Sequence, residues 1–291
     1  MTHTLLCVHP HPDDESIACG GVLARTVASG ARAVVVTCTG GEEGENLAGI
    51  DLGADDLVSH RRRELVDALQ ALGVTDHHLL GFRDSGMVET PGNQHPDSFH
   101  RADLEVASLR LAAIIRAEQP DVVVSDDANG TYGHPDHIKA HRVTVRAVEL
   151  AAAPSAPLDR EPWQVTKRYV HTLGRGRLLA AHQAWMDAGL VSPFGEGPID
   201  SEQDVPFGAP DELITTEIDV TDFLEHKRAA LTAHRSQIGS DSFFLNTPSE
   251  LMADFFGVEQ FILEAGTTGV PGIEYDLFAG IAPNEPEAGH R

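Results

Sequence analysis

The chain has 291 residues, with 21 Lys and Arg against 45 Asp and Glu, and a formal charge of −24 with neutral histidines. That length buries a full core as one large domain, or as one domain with an extension. The acidic surface excludes nucleic acid and anionic membranes as natural partners. No apolar run reaches membrane-spanning length and the N-terminus lacks a basic leader, so the cytoplasm is the expected location.

The first half alternates strand and helix signals. An apolar run over 5–8 reads as a buried strand, followed by the turn His11-Pro12-Asp13-Asp14-Glu15 and a helix over 16–28 closed by Gly30. A Val-rich strand covers 33–38, and the Gly- and acid-rich stretch 42–59 reads as a mobile loop. Leucines at helical spacing predict a helix over 60–72, then a short strand over 78–81 and a long loop over 82–102. A helix over 103–118, a strand over 121–125 and a helix over 136–153 complete the pattern. This order predicts an α/β fold: a Rossmann-like, mostly parallel sheet with helices on both faces.

Signals thin out beyond a Pro/Ala linker at 154–162. They give a strand over 168–173, a helix over 178–188, a surface loop over 194–211, a helix over 221–236 and a strand over 260–263. We divide the chain into a metal-binding core over 1–175, a smaller C-terminal α/β extension over 176–282 that completes the substrate pocket, and a disordered tail over 283–291. Cys7, Cys19 and Cys38 form no disulfide framework, and Cys7 and Cys38 are expected to be buried and inert.

Two turns carry chemistry. In the first, three acids and a histidine crowd one turn after a strand, and they repel one another in a buried loop unless a cation neutralises them. In the second, Tyr132-Gly133-His134-Pro135-Asp136-His137 occupies the equivalent place after the 121–125 strand. Open α/β sheets bind ligands at the carboxyl ends of their strands, so both turns can face one crevice. Histidine and carboxylate hold Zn²⁺ when sulfur is absent, and a catalytic zinc keeps a position for water. His11, Asp14 and His137 supply such a set. Asp13 is then free to take a proton from the water that the ion activates.

Spacing alone leaves Asp13 and Asp14 interchangeable as ligand, and His9 is a rival to His11. His134, as an imidazolium oriented by Asp136, suits oxyanion stabilisation or protonation of a leaving nitrogen, and Tyr132 offers a phenol to a substrate carbonyl. His141, one helical turn after His137, is a packing residue or a support for it. Asp126 and Asp127, at a strand end, tune the site or cap a turn. Glu15 reads as a first-turn helix acid.

The segments Pro12-Asp13-Asp14-Glu15 and His134-Pro135-Asp136-His137 resemble the signature of the PIG-L/LmbE-like zinc N-deacetylases, chiefly over the first 150 residues. The resemblance implies His11, Asp14 and His137 as zinc ligands and Asp13 as general base. It implies His134 as stabiliser of the tetrahedral intermediate, Tyr132 as polariser of the carbonyl and Asp136 as partner of His134. Arg61 and Asp84 match positions that grip sugar and inositol hydroxyls, although a three-Arg helix start is also the pattern of a solvated face. Within the family the chain looks most like the mycothiol-pathway branch. The implied reaction removes acetyl from an N-acetylated amino sugar of the N-acetylglucosaminyl-inositol type, with Zn²⁺, or Fe²⁺ as the alternative ion. The implied partner is that small molecule, and a homo-oligomer is compatible with the sequence.

Alternatives are a mycothiol S-conjugate amidase, or a deacetylase of another N-acyl glycoconjugate. The loop 90–100, with Asn93 and His95, departs from the expected pattern, and Ser16-Ile17-Ala18 lacks the lysine expected of the amidase. In a different class, a two-metal phosphoesterase would need extra bridging carboxylates, for which Asp126 and Asp127 are the candidates. A dinucleotide-binding oxidoreductase is poorly served, because carboxylates stand where a glycine-rich turn would admit pyrophosphate.

Overall fold

The computed structural model describes residues 2–52, 56–190, 194 and 199–282. In chain order the regular elements are β1 (Thr4–His9), α1 (Asp14–Ala28), β2 (Arg32–Thr39), α2 (Leu57–Leu72), β3 (Asp76–Phe82), α3 (Leu104–Glu118), β4 (Val122–Ser125), the single turn α4 (Gly130–Gly133), α5 (Pro135–Ala152), β5 (Lys167–Thr172), α6 (Arg175–Asp187), β6 (Thr216–Asp219), α7 (Leu224–Ala233), α8 (Phe243–Asn246), α9 (Ser249–Phe256) and β7 (Val258–Ala265). They build a seven-stranded sheet in the order β3-β2-β1-β4-β5-β7-β6. The first five strands run parallel, while β7 lies antiparallel to β5 and β6 antiparallel to β7. The strand order therefore reverses between β1 and β4, and that reversal opens a crevice at their carboxyl ends.

Side-chain alternation sorts the core onto the two faces. Leu5, Cys7, Val35, Val122 and Val124 point to one side, where they pack with Leu23, Leu65 and Leu69. Their neighbours Leu6, Val8, Val34, Val36 and Val123 point to the other, against Leu111, Ile115 and Val143. With both faces covered, the central strands β1, β2 and β4 read as near-continuous apolar runs instead of alternating ones. Burying one such Leu or Val stabilises by about 1.5–3 kcal/mol.

The C-terminal segment joins the same core, since Ile218, Val220, Ala230 and Phe261 pack with Leu5 and Cys7. At the outer edge, β6 is bridged by a returning strap: Glu217 N donates to Glu274 O (2.9 Å) and Glu274 N to Thr215 O (2.9 Å). The buried Glu274 carboxylate accepts from Lys167 Nζ (2.6 Å) and from the Tyr169 hydroxyl (2.6 Å).

Several bounds differ from the sequence reading. Asp56 accepts the Ser59 N–H, so α2 starts at Leu57 and shortens the preceding loop. The 82–102 loop contains two short 3₁₀ turns. The helix expected over 221–236 is α7, which ends at Ala233 where the His234 backbone departs from helical geometry. β6, α8 and α9 had no counterpart in the sequence pattern. Of the 194–211 loop, only 194 and 199–211 are described, and the 283–291 tail lies outside the described residues. Among the described residues no helix is long and apolar enough to cross a membrane.

Candidate active site

The two motif-bearing turns meet at the reversal between β1 and β4. His11, Asp13, Asp14, Arg61, Asp84, Tyr132, His134 and His137 all line one cleft, of about 850 Å³. The first turn is pulled tight by Asp14, whose Oδ2 accepts the His11 N–H (2.9 Å). The same oxygen lies 3.2 Å from His11 Nδ1 and 3.6 Å from His137 Nε2. His137 Nε2 is buried and has no hydrogen-bond partner. Two imidazole nitrogens and a carboxylate oxygen thus converge, one of them orphaned, and this donor set fits a borderline divalent cation. Burial acts against their charges. Even so, His137 and His11 hold Asp14 well below the ordinary carboxylate range, and the carboxylates of Asp136, Asp14 and Asp84 raise His11.

Each histidine of the set is oriented from behind. His137 Nδ1 is 2.6 Å from Asp126 Oδ1, a carboxylate–histidine pair that fixes the ring with Nε2 toward the cleft. His11 Nε2 faces Asp136 Oδ2 (3.3 Å) and Asp84 Oδ1 (3.4 Å), which leaves Nδ1 for the cleft. Asp126, read in the sequence as a strand-end acid that tunes the site, caps a turn or bridges a second metal, is placed behind His137. Asp127 instead forms a turn, accepting the Asn129 and Thr131 N–H groups. His141 Nδ1 donates to Asp126 O (3.0 Å) and steadies the strand end.

The Asp136 carboxylate is engaged away from His134. It accepts from Ser85 N (2.8 Å) and Ser85 Oγ, and it backs His11. What it lends His134 is its backbone N–H, donated to Nδ1 (3.1 Å) as the N-cap of α5. The acceptor role of Nδ1 places the ring hydrogen on Nε2. Burial, with the neighbouring His11 and His137, lowers His134 to about 4. The imidazolium expected from the sequence is therefore replaced by a neutral ring that donates from Nε2.

Asp13 sits at φ 130°, a conformation that L-residues rarely adopt. Its N–H is held by Glu15 Oε2 (3.0 Å), and Glu15 Oε1 lies 2.8 Å from His234 Nε2. Glu15 is thus a fully buried anchor that ties the first turn to the segment after α7. Burial pushes Asp13 up to about 6, against the pull of Arg61.

Arg61 is 3% exposed, unlike its exposed neighbours Arg62 and Arg63, so the solvated-face reading fails for this one residue. It donates to Pro12 O (2.7 Å) and Gly41 O (2.9 Å) and lies 3.2 Å from Asp13 Oδ2. A Cβ on Gly41 or Gly44 would stand 2.2 or 2.4 Å from the guanidinium, so those glycines make room for it. Asp84 Oδ1 accepts the Gly86 N–H (2.8 Å) and Oδ2 the Glu43 N–H (3.2 Å). Tyr132 is 58% exposed, its ring 5.3 Å from that of His137, on a kink where Thr131 has φ 61°.

Sequence reasoning missed the opposite wall. Phe207, Phe243, Phe244, Phe255 and Phe256 line the same cleft with Leu178, contributed by separate segments of the second half.

An α/β sheet whose order reverses over a His/Asp donor set, with a carboxylate beside it, fits a hydrolase that acts on amides. The chain belongs to the PIG-L family of GlcNAc-PI de-N-acetylases, whose description matches residues 6–148. It is 46% identical to the 1D-myo-inositol 2-acetamido-2-deoxy-alpha-D-glucopyranoside deacetylase of Acidothermus cellulolyticus, over 97% of this chain and 96% of the relative. Identity to the protein of the same description from Thermobispora bispora is 44%, over 95% and 98%. Among solved structures, the N,N'-diacetylchitobiose deacetylase of Pyrococcus horikoshii superposes with a TM-score of 0.57 at 25% identity, covering 96% of this chain and 86% of that one.

Proposed function

We propose that the protein is a zinc-dependent deacetylase of N-acetylglucosaminyl-inositol-type substrates. The observation that carries this reading is Asp14 Oδ2 standing between His11 Nδ1 and the orphaned His137 Nε2, with Asp13 on the same turn. The similarity to the inositol-glycoside deacetylases supports the substrate class. His11, Asp14 and His137 would hold Zn²⁺, with Fe²⁺ the alternative, and the ion supplies Lewis-acid polarisation of the amide and activation of water.

The remaining steps belong to the chain. Asp13, fixed by Arg61 and Glu15, takes the proton of the attacking water as its oxygen bonds to the acetyl carbon. The Tyr132 hydroxyl and His134 Nε2–H donate to the carbonyl oxygen as it gains charge. The carbon–nitrogen bond then breaks, and the proton held by Asp13 goes to the departing amine, leaving acetate and a free amino sugar. Asp84 and Arg61, at the cleft wall, bind substrate hydroxyls.

A second reading draws on the aromatic wall: an amidase acting on glycoconjugates with an apolar arm, the S-conjugate type. One panel tests both. Acetate and amine release are measured on the glucosaminyl-inositol, on diacetylchitobiose, on a thioether-bearing conjugate and on a phosphate ester. Fastest cleavage of the glucosaminyl-inositol supports the first reading, and preference for the thioether conjugate supports the second. Phosphate release without acetate release rejects both.

A further inference from the structure

A second donor set stands beside the first. Register pairs Cys7 with Val124 and Ser125 with Val170. Continued along the three strands, it sets His9, Asp126 and His171 abreast at the ends of β1 and β4 and within β5. Adjacent strands lie about 4.8 Å apart, so side chains on one row and one face converge. One donor atom from each residue lies within 4.8 Å of the others, and all three residues are at least nine-tenths buried.

These groups are not satisfied by the protein. Both ring nitrogens of His9, Oδ2 of Asp126 and Nε2 of His171 lack a hydrogen-bond partner. His171 Nε2 is 3.2 Å from Asp126 Oδ1, but that oxygen is already taken by His137 Nδ1 at 2.6 Å. A buried polar group left unpaired costs about 1–3 kcal/mol, and here several are gathered at one point. The local charge runs the same way. The carboxylates of Asp13, Asp14, Asp84, Asp126 and Asp136 crowd the sheet end around Arg61, and against the effect of burial the surrounding groups raise His9, His11, His137 and His171 toward their cationic forms. One divalent ion offsets two of those charges.

We propose that His9, Asp126 and His171 form a second cation site, separate from the His11–Asp14–His137 set and joined to it by Asp126. Oδ1 of that carboxylate lies against both the His137 ring (2.6 Å) and the His171 ring (3.2 Å), and Oδ2 is buried without a hydrogen-bond partner. Two imidazoles and a carboxylate select a borderline ion such as Zn²⁺ over Mg²⁺ or Ca²⁺. The sulfur atoms of Cys7 and Cys19, within 4.8 Å of a His9 nitrogen, bias it the same way. Tetrahedral zinc with bonds of about 2.0–2.1 Å needs donor atoms roughly 3.4 Å apart, a closure within reach of side-chain torsions.

The test counts and locates ions without measuring turnover, so it can fail while the deacetylase reading stands, and the reverse. Full-length protein is stripped of metal, reloaded with Zn²⁺ and dialysed against a weak chelator. Two ions per chain are expected, with a second anomalous-scattering peak in crystals between His9, Asp126 and His171. His171→Asn and His9→Gln should each retain one ion, with their melting curves recorded. A single ion at the first set, with water between the second set of donors, overturns the proposal. So does a second peak elsewhere, or two ions retained in both folded variants. Should neither variant fold, the wild-type anomalous map decides alone.

Discussion

The two walls of the cleft are built on opposite principles. The polar wall comes from short turns that follow β1 and β4, where each functional side chain has a neighbour that fixes its direction: Asp126 behind His137, Asp136 and Asp84 behind His11, Arg61 and Glu15 behind Asp13. The aromatic wall is gathered from α8, α9 and the loop at Phe207, and rings touch rings: Phe243 packs on Phe244 at 4.0 Å and Phe255 on Phe256 at 5.0 Å. One wall holds direction and charge, and the other offers area. On the proposed function chemistry depends on the first, whereas the choice of substrate can drift through the second.

Substitutions separate the two. The largest effect is expected of His137→Ala, which should lose the bound metal and at least about 10³-fold in turnover. Retained metal in that variant, measured by elemental analysis, would break the ligand assignment. Asp13→Asn should keep the metal and lose about 10²–10⁴-fold in kcat. On the aromatic wall, Phe244→Ala should raise KM for a thioether conjugate by about tenfold and leave kcat for the acetylated sugar within about twofold. Equal losses on both substrates would remove the distinction between the walls.

The smallest effect is one of stability. In the folded, metal-free chain Asp13 titrates at about 6, above its ordinary 3.8. The folded state therefore binds the proton more tightly, and stability falls as pH rises from 3.8 through 6. Ionised Asp13 costs the metal-free fold up to about 3 kcal/mol at pH 8. Metal-free Asp13→Asn should thus be more stable than wild type at pH 8, and the gap should close by pH 4. Urea midpoints at the two pH values measure it, and a gap that widened toward acid would mean that folding lowers the Asp13 pKa instead of raising it.

The contrast also explains what could be read in advance. The parallel core and the polar wall were legible because their residues are contiguous: His11 to Asp14 and Tyr132 to His137 each fall within one turn, and buried parallel strands leave long apolar runs. Asp126 stood just past a strand and His171 inside one, but their alignment with His9 is a matter of register between strands distant in sequence. The structure also gave Asp136 a partner other than the one expected, because Ser85 comes from a different loop. The aromatic wall left no signal at all. Its phenylalanines follow no helical or strand period together, and α8 is a single turn with little pattern to detect.

The strap that returns along β6 bears on how the protein behaves at high concentration. Through Glu274 it takes up the Glu217 N–H and the Thr215 carbonyl, two of the groups that an outermost strand would otherwise present to a passing chain. A copy truncated before that residue would keep every catalytic side chain, yet carry a bare ribbon edge. Its expected fate is stacking into insoluble assemblies rather than loss of chemistry.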